Sequence, residues 1–209
     1  MHEAMNKRRL PLISAVLALA LLLFATRFYP GGAEGDPAVL GFDWWRVYIT
    51  QLLRPVALNG QPNAARPYAV AGLWLFCLGM AELFRQLAQE MAPARHAKWV
   101  QICGIAAMVY TAFTVTRMHD LMVTISLFFF VATEVALLDW LWLRRQWPRW
   151  TAGMACLLLM LAASCSYYGR IGTAALPTLQ KLVYLSSSAW LLWLHSRAAA
   201  GPAVARTRL

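Results

Sequence analysis

Charge is what this sequence has least of. Only 13% of its residues are Asp, Glu, Lys or Arg, whereas a soluble domain carries about 25%. Acidic side chains are the scarcer sign, nine against nineteen Lys and Arg, for a formal net charge of +10. Cysteine is also sparse. Cys77, Cys103, Cys156 and Cys165 all lie in apolar runs, with no Cys-x-x-Cys pair and no His at ligand spacing. This pattern argues against a disulfide framework and a zinc site. No Gly-x-Ser-x-Gly elbow is present, and no other catalytic, metal or nucleotide motif stands out. No cofactor is expected. The basic residues flank apolar runs and form no stripe on a polar face, so nucleic acid is not an expected partner.

What fills the chain is apolar sequence. Hydrophobic residues make up 60% of it, and they come in blocks. Blocks of 17 or more apolar residues are long enough to cross a bilayer. The expected fold is all-α, a six-span membrane bundle with spans at about 10–26, 68–84, 99–116, 121–143, 150–167 and 178–195. Residues 1–9 form a polar start and 196–209 an Ala/Gly/Arg-rich tail expected to be disordered. The basic start before the first run also resembles a signal peptide. Phe24-Ala25-Thr26-Arg27-Phe28 is a poor cleavage site, however, which favours an uncleaved first helix.

The one long connection is 28–67. Pro30 to Pro37 reads as turn and coil. Asp43 to Arg54 reads as a short helix capped by Asp43 and ended by Pro55, with Trp45, Tyr48, Ile49 and Leu52 on one face. That face predicts a helix lying at the membrane interface.

Arginine placement predicts the orientation. With the N-terminus inside, segments 1–9, 85–98, 144–149 and 196–209 hold twelve Lys or Arg, against seven on the other side. The positive-inside rule then puts both termini in the cytoplasm of a cell membrane. It also gathers Asp43, Arg46, Tyr48, Arg117, His119, Asp120 and Lys181 on the outer face. His119 beside Asp120 suits a general acid or base, while Asp120 alone suits the start of a helix. Lys181 suits a lipid phosphate or a snorkelling position. Glu134 lies deep in the fourth span, where an ionisable group is a functional candidate by default. Ser186-Ser187-Ser188, Gly72 and Gly79 suit close helix packing.

Three stretches carry a family resemblance. They are Tyr48-Ile49-Thr50-Gln51-Leu52 with Asn59-Gly60-Gln61-Pro62-Asn63, His119 opening the fourth span, and Gln180-Lys181-Leu182-Val183 leading to Trp190. In this layout the chain resembles the six-span group that includes the DUF998 family and the Frag1/DRAM/Sfk1-like proteins. It departs from that pattern at Thr50, Gln51 and Leu53, which stand where Ser, an acid and Gly are usual. The resemblance implies an outer-face, lipid-related role.

The functional expectation is therefore a membrane protein that binds membrane lipids, or another membrane protein, at an outer polar cleft of Asp43, Arg46, His119, Asp120 and Lys181. A lipid-modifying hydrolase or transferase using His119 is the alternative. A small-solute or proton transporter using Glu134 is the third reading.

Overall fold

The computed structural model describes residues 2–92 and 94–198. Six helices carry the chain: α1 His2–Thr26, α2 Arg66–Gln89, α3 Ala94–Ala112, α4 His119–Leu143, α5 Trp147–Gly169 and α6 Leu176–Ala198. Among the described residues, five helical stretches are long and apolar enough to cross a bilayer. They are Arg8–Thr26, Arg66–Gln89, Ala94–Val115, His119–Leu143 and Trp147–Gly169. α6 is as long as α5, at 23 residues, but Gln180, Lys181, Ser186, Ser187, Ser188 and His195 make it less apolar. Most helices overrun the apolar blocks that predict them, because polar residues at their ends continue the backbone hydrogen bonding. Residues 2–9, expected as a polar lead, are the first turns of α1. Of the tail, 196–198 is helical and 199–209 lies outside the described residues.

Small residues set how closely the helices approach. Gly72 and Gly79, two turns apart on α2, meet Ala18 and Ser14 of α1, and a methyl group on Gly79 would collide with Ser14. Ser14, Ala18 and Ala25 are buried against this seam. Without a hydrophobic drive between helices in lipid, such small-on-small contact is what holds a pair. Gly104 of α3 receives the Phe84 ring of α2, and Gly153 of α5 receives the Trp190 ring of α6. The Trp190 indole N–H donates to the Arg149 carbonyl at 2.9 Å. Between α3 and α4, Ser126 donates to the Ala107 carbonyl at 3.0 Å and shares a hydrogen bond with Thr111 at 2.6 Å. Helices α2 to α6 each touch the next, α6 touches α2 in turn, and α1 lies along α2. The main core lies inside this ring, around Met80, Leu83, Phe84, Leu137, Leu141 and Leu191.

The end bearing the start of α1, 90–92, 144–146 and the end of α6 is tied by polar pairs. Glu82 takes Arg85 at 2.6 Å, as its sequence position suggests. Asp139 does not reach across to Arg144 or Arg145. It pairs with buried His96 of α3 at 2.7 Å.

The opposite end is capped by 27–65, which is folded throughout. Pro30–Pro37, expected as coil, opens a β-hairpin of β1 Gly31–Ala33 and β2 Asp36–Leu40. Its two-residue turn, Glu34-Gly35, has Gly35 at φ +78°, the left-handed backbone that a type II turn requires at its second central residue. Gly32 at φ +89° lies so close to the backbone of Leu58 and Asn59 that no side chain fits. The continuous helix expected over Asp43–Arg54 is instead two pieces. Asp43 caps a turn through the N–H groups of Trp45 (2.8 Å) and Arg46 (3.2 Å). Tyr48 is then extended, and a 3-10 helix runs over Ile49–Leu53. Trp45 is accordingly 72% exposed while Val47 and Leu52 are fully buried.

Buried Asn63 fastens this cap. Its amide nitrogen donates to the carbonyls of Gln51 (3.1 Å), Leu52 (3.1 Å) and Arg54 (2.9 Å), and its oxygen accepts from Ala65 N–H at 3.1 Å. The floor beneath is a second core of Ala25, Tyr29, Val47, Leu52, Ala65 and Ala69. Truncating Asn63 strands several carbonyls, and one buried unsatisfied group costs about 1–3 kcal/mol. Asn63→Ala is expected to lower the local stability of the cap by on the order of 2–4 kcal/mol. Amide hydrogen exchange across 49–57 reads this as lost protection, with α3 to α5 unchanged. Equal protection in the variant would show that Asn63 is incidental.

Candidate functional site

The cap brings distant polar residues to the cap-side ends of α4, α5 and α6, in two groups. The first centres on Lys181. Its ammonium donates to the carbonyls of Val47 (2.8 Å) and Pro177 (2.9 Å) and stands 5.7 Å from the centre of the Phe42 ring. Asp43 is its acidic neighbour. The adjacent Gln180 accepts from Ile49 N–H at 3.1 Å. Lys181 and Gln180 thus staple the cap to α6, and both spend their hydrogen bonds on its backbone.

The second group centres on α4. His119 Nδ1 and Asp120 Oδ1 are 3.0 Å apart, and the Tyr167 hydroxyl of α5 donates to the same carboxylate oxygen at 3.1 Å. The Arg54 guanidinium contributes its field at Asp120. One turn further along α4, Thr124 hydrogen-bonds the Tyr168 hydroxyl at 2.8 Å. Tyr48 completes the rim beside Glu34 and Tyr167. Burial and the Glu34 carboxylate push its phenol up to about 12, so it stays a neutral donor. His119 is about one-third exposed, yet its Nε2 is sheltered and has no hydrogen-bond partner among the described residues.

Asp120 does not cap α4 by a side-chain hydrogen bond. Met118 holds the cap position, and Asp120 lies in the first helical turn, where a negative charge is still favourable. With the Asp120 carboxylate on Nδ1, His119 keeps Nε2 as its unpaired nitrogen, covered from solvent by its neighbours. This is the orientation of an imidazole ready to accept a proton or to donate one to an anion.

The remaining predicted residues separate. Arg46 turns away to pair with Asp36 of the hairpin at 2.6 Å. Arg117 stands exposed on the α3–α4 turn. Glu134 is 1% exposed, far from the outer group. On the helical face between Thr124 and Glu134 lie Leu127 and Val131, so no polar side chain of that face links the two.

Glu34, Arg54 and Tyr167 join the site although sequence reasoning passed over them as site members. Glu34 and Arg54 sit in the cap, and their approach depends on its folded path. Tyr167 reads as an interfacial aromatic. The one available signal was its place beside Tyr168, at the same end as His119.

The Asp36–Arg46 pair gives a pH prediction. The guanidinium holds the Asp36 carboxyl below its ordinary 3.8. A lowered value means the pair's contribution is present above pH 3.8 and is lost as pH falls through the folded value. Arg46→Ala is expected to return the Asp36 midpoint to the ordinary range in a carboxyl-carbon NMR titration, with no effect near neutrality. An unchanged midpoint would show that the pair does not form in solution.

Comparison with protein-family models, with curated proteins and with solved structures finds no match for this chain, and its functional reading rests on its own geometry.

Proposed function

We propose that this is a six-span membrane protein that binds the phosphate-bearing headgroup of a membrane lipid at the outer ends of α4 and α5. The observation that carries the reading is His119. Asp120 orients its ring, and its Nε2 is sheltered and unpartnered at the rim of a polar cluster. Arg54 and Arg117 add positive charge on the same face, while the Tyr48 and Tyr167 hydroxyls are taken by Glu34 and Asp120. A phosphate offers the acceptors these donors need.

The sixth span is α6. Its 23 residues measure about 34 Å at 1.5 Å per residue, enough for a hydrocarbon core of about 30 Å. Arginine placement puts both termini in the cytoplasm and the cap outside. Exposed Leu40, Trp44 and Trp45 then let the cap dip into the interface, with the tryptophans as anchors.

A second reading is favoured by one detail of the same site. An Asp-held imidazole with a free Nε2 is the arrangement of a general base, which can take a proton from water beside a lipid ester. Lipid hydrolysis or transfer by His119 is the activity this would support. The expected Glu134 transport pathway gains no comparable support.

Two measurements test these readings. Native mass spectrometry of the detergent-purified protein with dioleoylphosphatidylglycerol should show bound lipid. Losing a hydrogen bond to a charged group is worth about 1.5–3 kcal/mol, so His119→Ala or Arg54→Ala should weaken binding roughly tenfold or more. Unchanged binding in both variants removes the outer site, and product lipid formed by wild type but not His119→Ala selects the catalytic reading. For orientation, a tag following Leu209 should resist protease added to intact cells. Its cleavage would invert the topology and put the cap inside.

A further inference from the structure

Three helices place polar groups at one depth, well away from the outer cluster. Glu134 lies nine residues before the end of α4, and Cys156 nine residues after the start of α5. At about 1.5 Å per residue each is roughly 14 Å from the terminus-bearing end of its helix. Ser187 of α6, eleven residues before Ala198, is about 16 Å from the same end. In a hydrocarbon core about 30 Å thick, this is the middle.

The groups are neighbours. The Cys156 thiol lies beside Ser186 and Ser187, and the Glu134 carboxyl is the ionisable group near it. Glu134 and Ser187 are 1% and 4% exposed. Neither oxygen of Glu134 has a hydrogen-bond partner among the described residues, and the Ser187 hydroxyl has no ordinary one. A buried carboxyl without a partner is costly, more so in lipid, and such groups mark functional sites.

Next to this layer the bundle opens sideways. A groove of about 430 Å³ runs between α5 and α6, walled by Ala152, Ala155, Leu159 and Trp193, with Cys156 and Ser186 in its lining. Ala155 is exposed and Trp193 is 38% exposed, so the groove opens on the outside of the bundle. Its volume and its apolar walls with a few convergent polar groups are those of a small-molecule site.

We infer that this groove binds a bilayer-dissolved long-chain alcohol, its hydroxyl at the Cys156–Ser186 floor backed by Glu134 and its chain along the alanine wall. The location dictates a ligand that arrives through hydrocarbon, which excludes an ionic headgroup. The floor offers the Ser186 hydroxyl and the Cys156 thiol, each able to donate and accept, so the matching head does both, as a hydroxyl does. The alanine side chains leave a shallow, narrow bed that suits an unbranched chain. The site is separate from the outer headgroup site and stands or falls without it.

Photo-crosslinking tests it on the full chain in nanodiscs, with a sixteen-carbon alcohol carrying a mid-chain diazirine. Label should fall on peptides covering 152–159 and 186–193. Hexadecanol should compete at least tenfold better than hexadecane. Glu134→Gln should reduce labelling several-fold, and Ala155→Phe should abolish it, while His119→Ala leaves it intact. Equal competition by hexadecane would reduce the groove to an apolar furrow and overturn the proposal. So would labelling indifferent to both Ala155→Phe and Ala189→Phe, or crosslinking to a second copy of the chain in place of the probe. The competition arm uses wild-type protein alone and decides the matter even where a variant fails to fold.

Discussion

The cap depends on one buried carboxamide. Asn63 gathers three carbonyls from the end of the 3-10 helix and fixes the start of α2 through Ala65. Arg66 adds a bond from its Nε to the Leu53 carbonyl at 3.1 Å. These contacts fix the backbone on either side of Arg54, whose charge is felt at Asp120. They add to the apolar floor and to the Lys181 and Gln180 contacts in offsetting the entropy lost when a connection of nearly forty residues takes one path. The helices supply a rigid frame, and the carboxamide decides what stands over it.

Polar chemistry in this chain is layered by depth. At the outer end, side chains meet across the cap, and half-exposed pairs such as Asp36–Arg46 are screened by water. In the middle, Glu134, Cys156, Ser186 and Ser187 are buried in an apolar setting, where hydrogen bonds weigh more and unmade ones are costly. At the terminus-bearing end, His96–Asp139 and Glu82–Arg85 clasp neighbouring turns and helices. The proposed ligand chemistry is placed in the first two layers, at His119 and beside the groove between α5 and α6.

The helices were legible in the sequence because apolar blocks of bilayer length have few other solutions. Their ends were not, since Arg66 and Gln89 or Trp147 and Gly169 continue a helix as readily as they leave one. Gly72 and Gly79 were readable as packing residues, and α1 does press on them. The cap was harder. Gly31, Gly32 and Gly35 suggested coil, yet they permit a hairpin because each adopts positive φ, and Gly32 lies flush on another backbone. Asn63 looked like an ordinary turn residue, and nothing local announces four hydrogen bonds. His119 and Asp120 were adjacent and visible, whereas Glu34, Arg54 and Tyr167 reach them only through tertiary folding.

The seam between α1 and α2 imposes an order on assembly. Ala25 from the end of the first helix and Ala65 and Ala69 from the beginning of the second are the floor on which the intervening segment rests. That floor does not exist until both rods lie side by side, with glycine against serine. During biosynthesis the connecting segment must therefore wait, unstructured, for its two flanking helices to meet. Its folding becomes a late checkpoint that reports whether the first pair was inserted correctly.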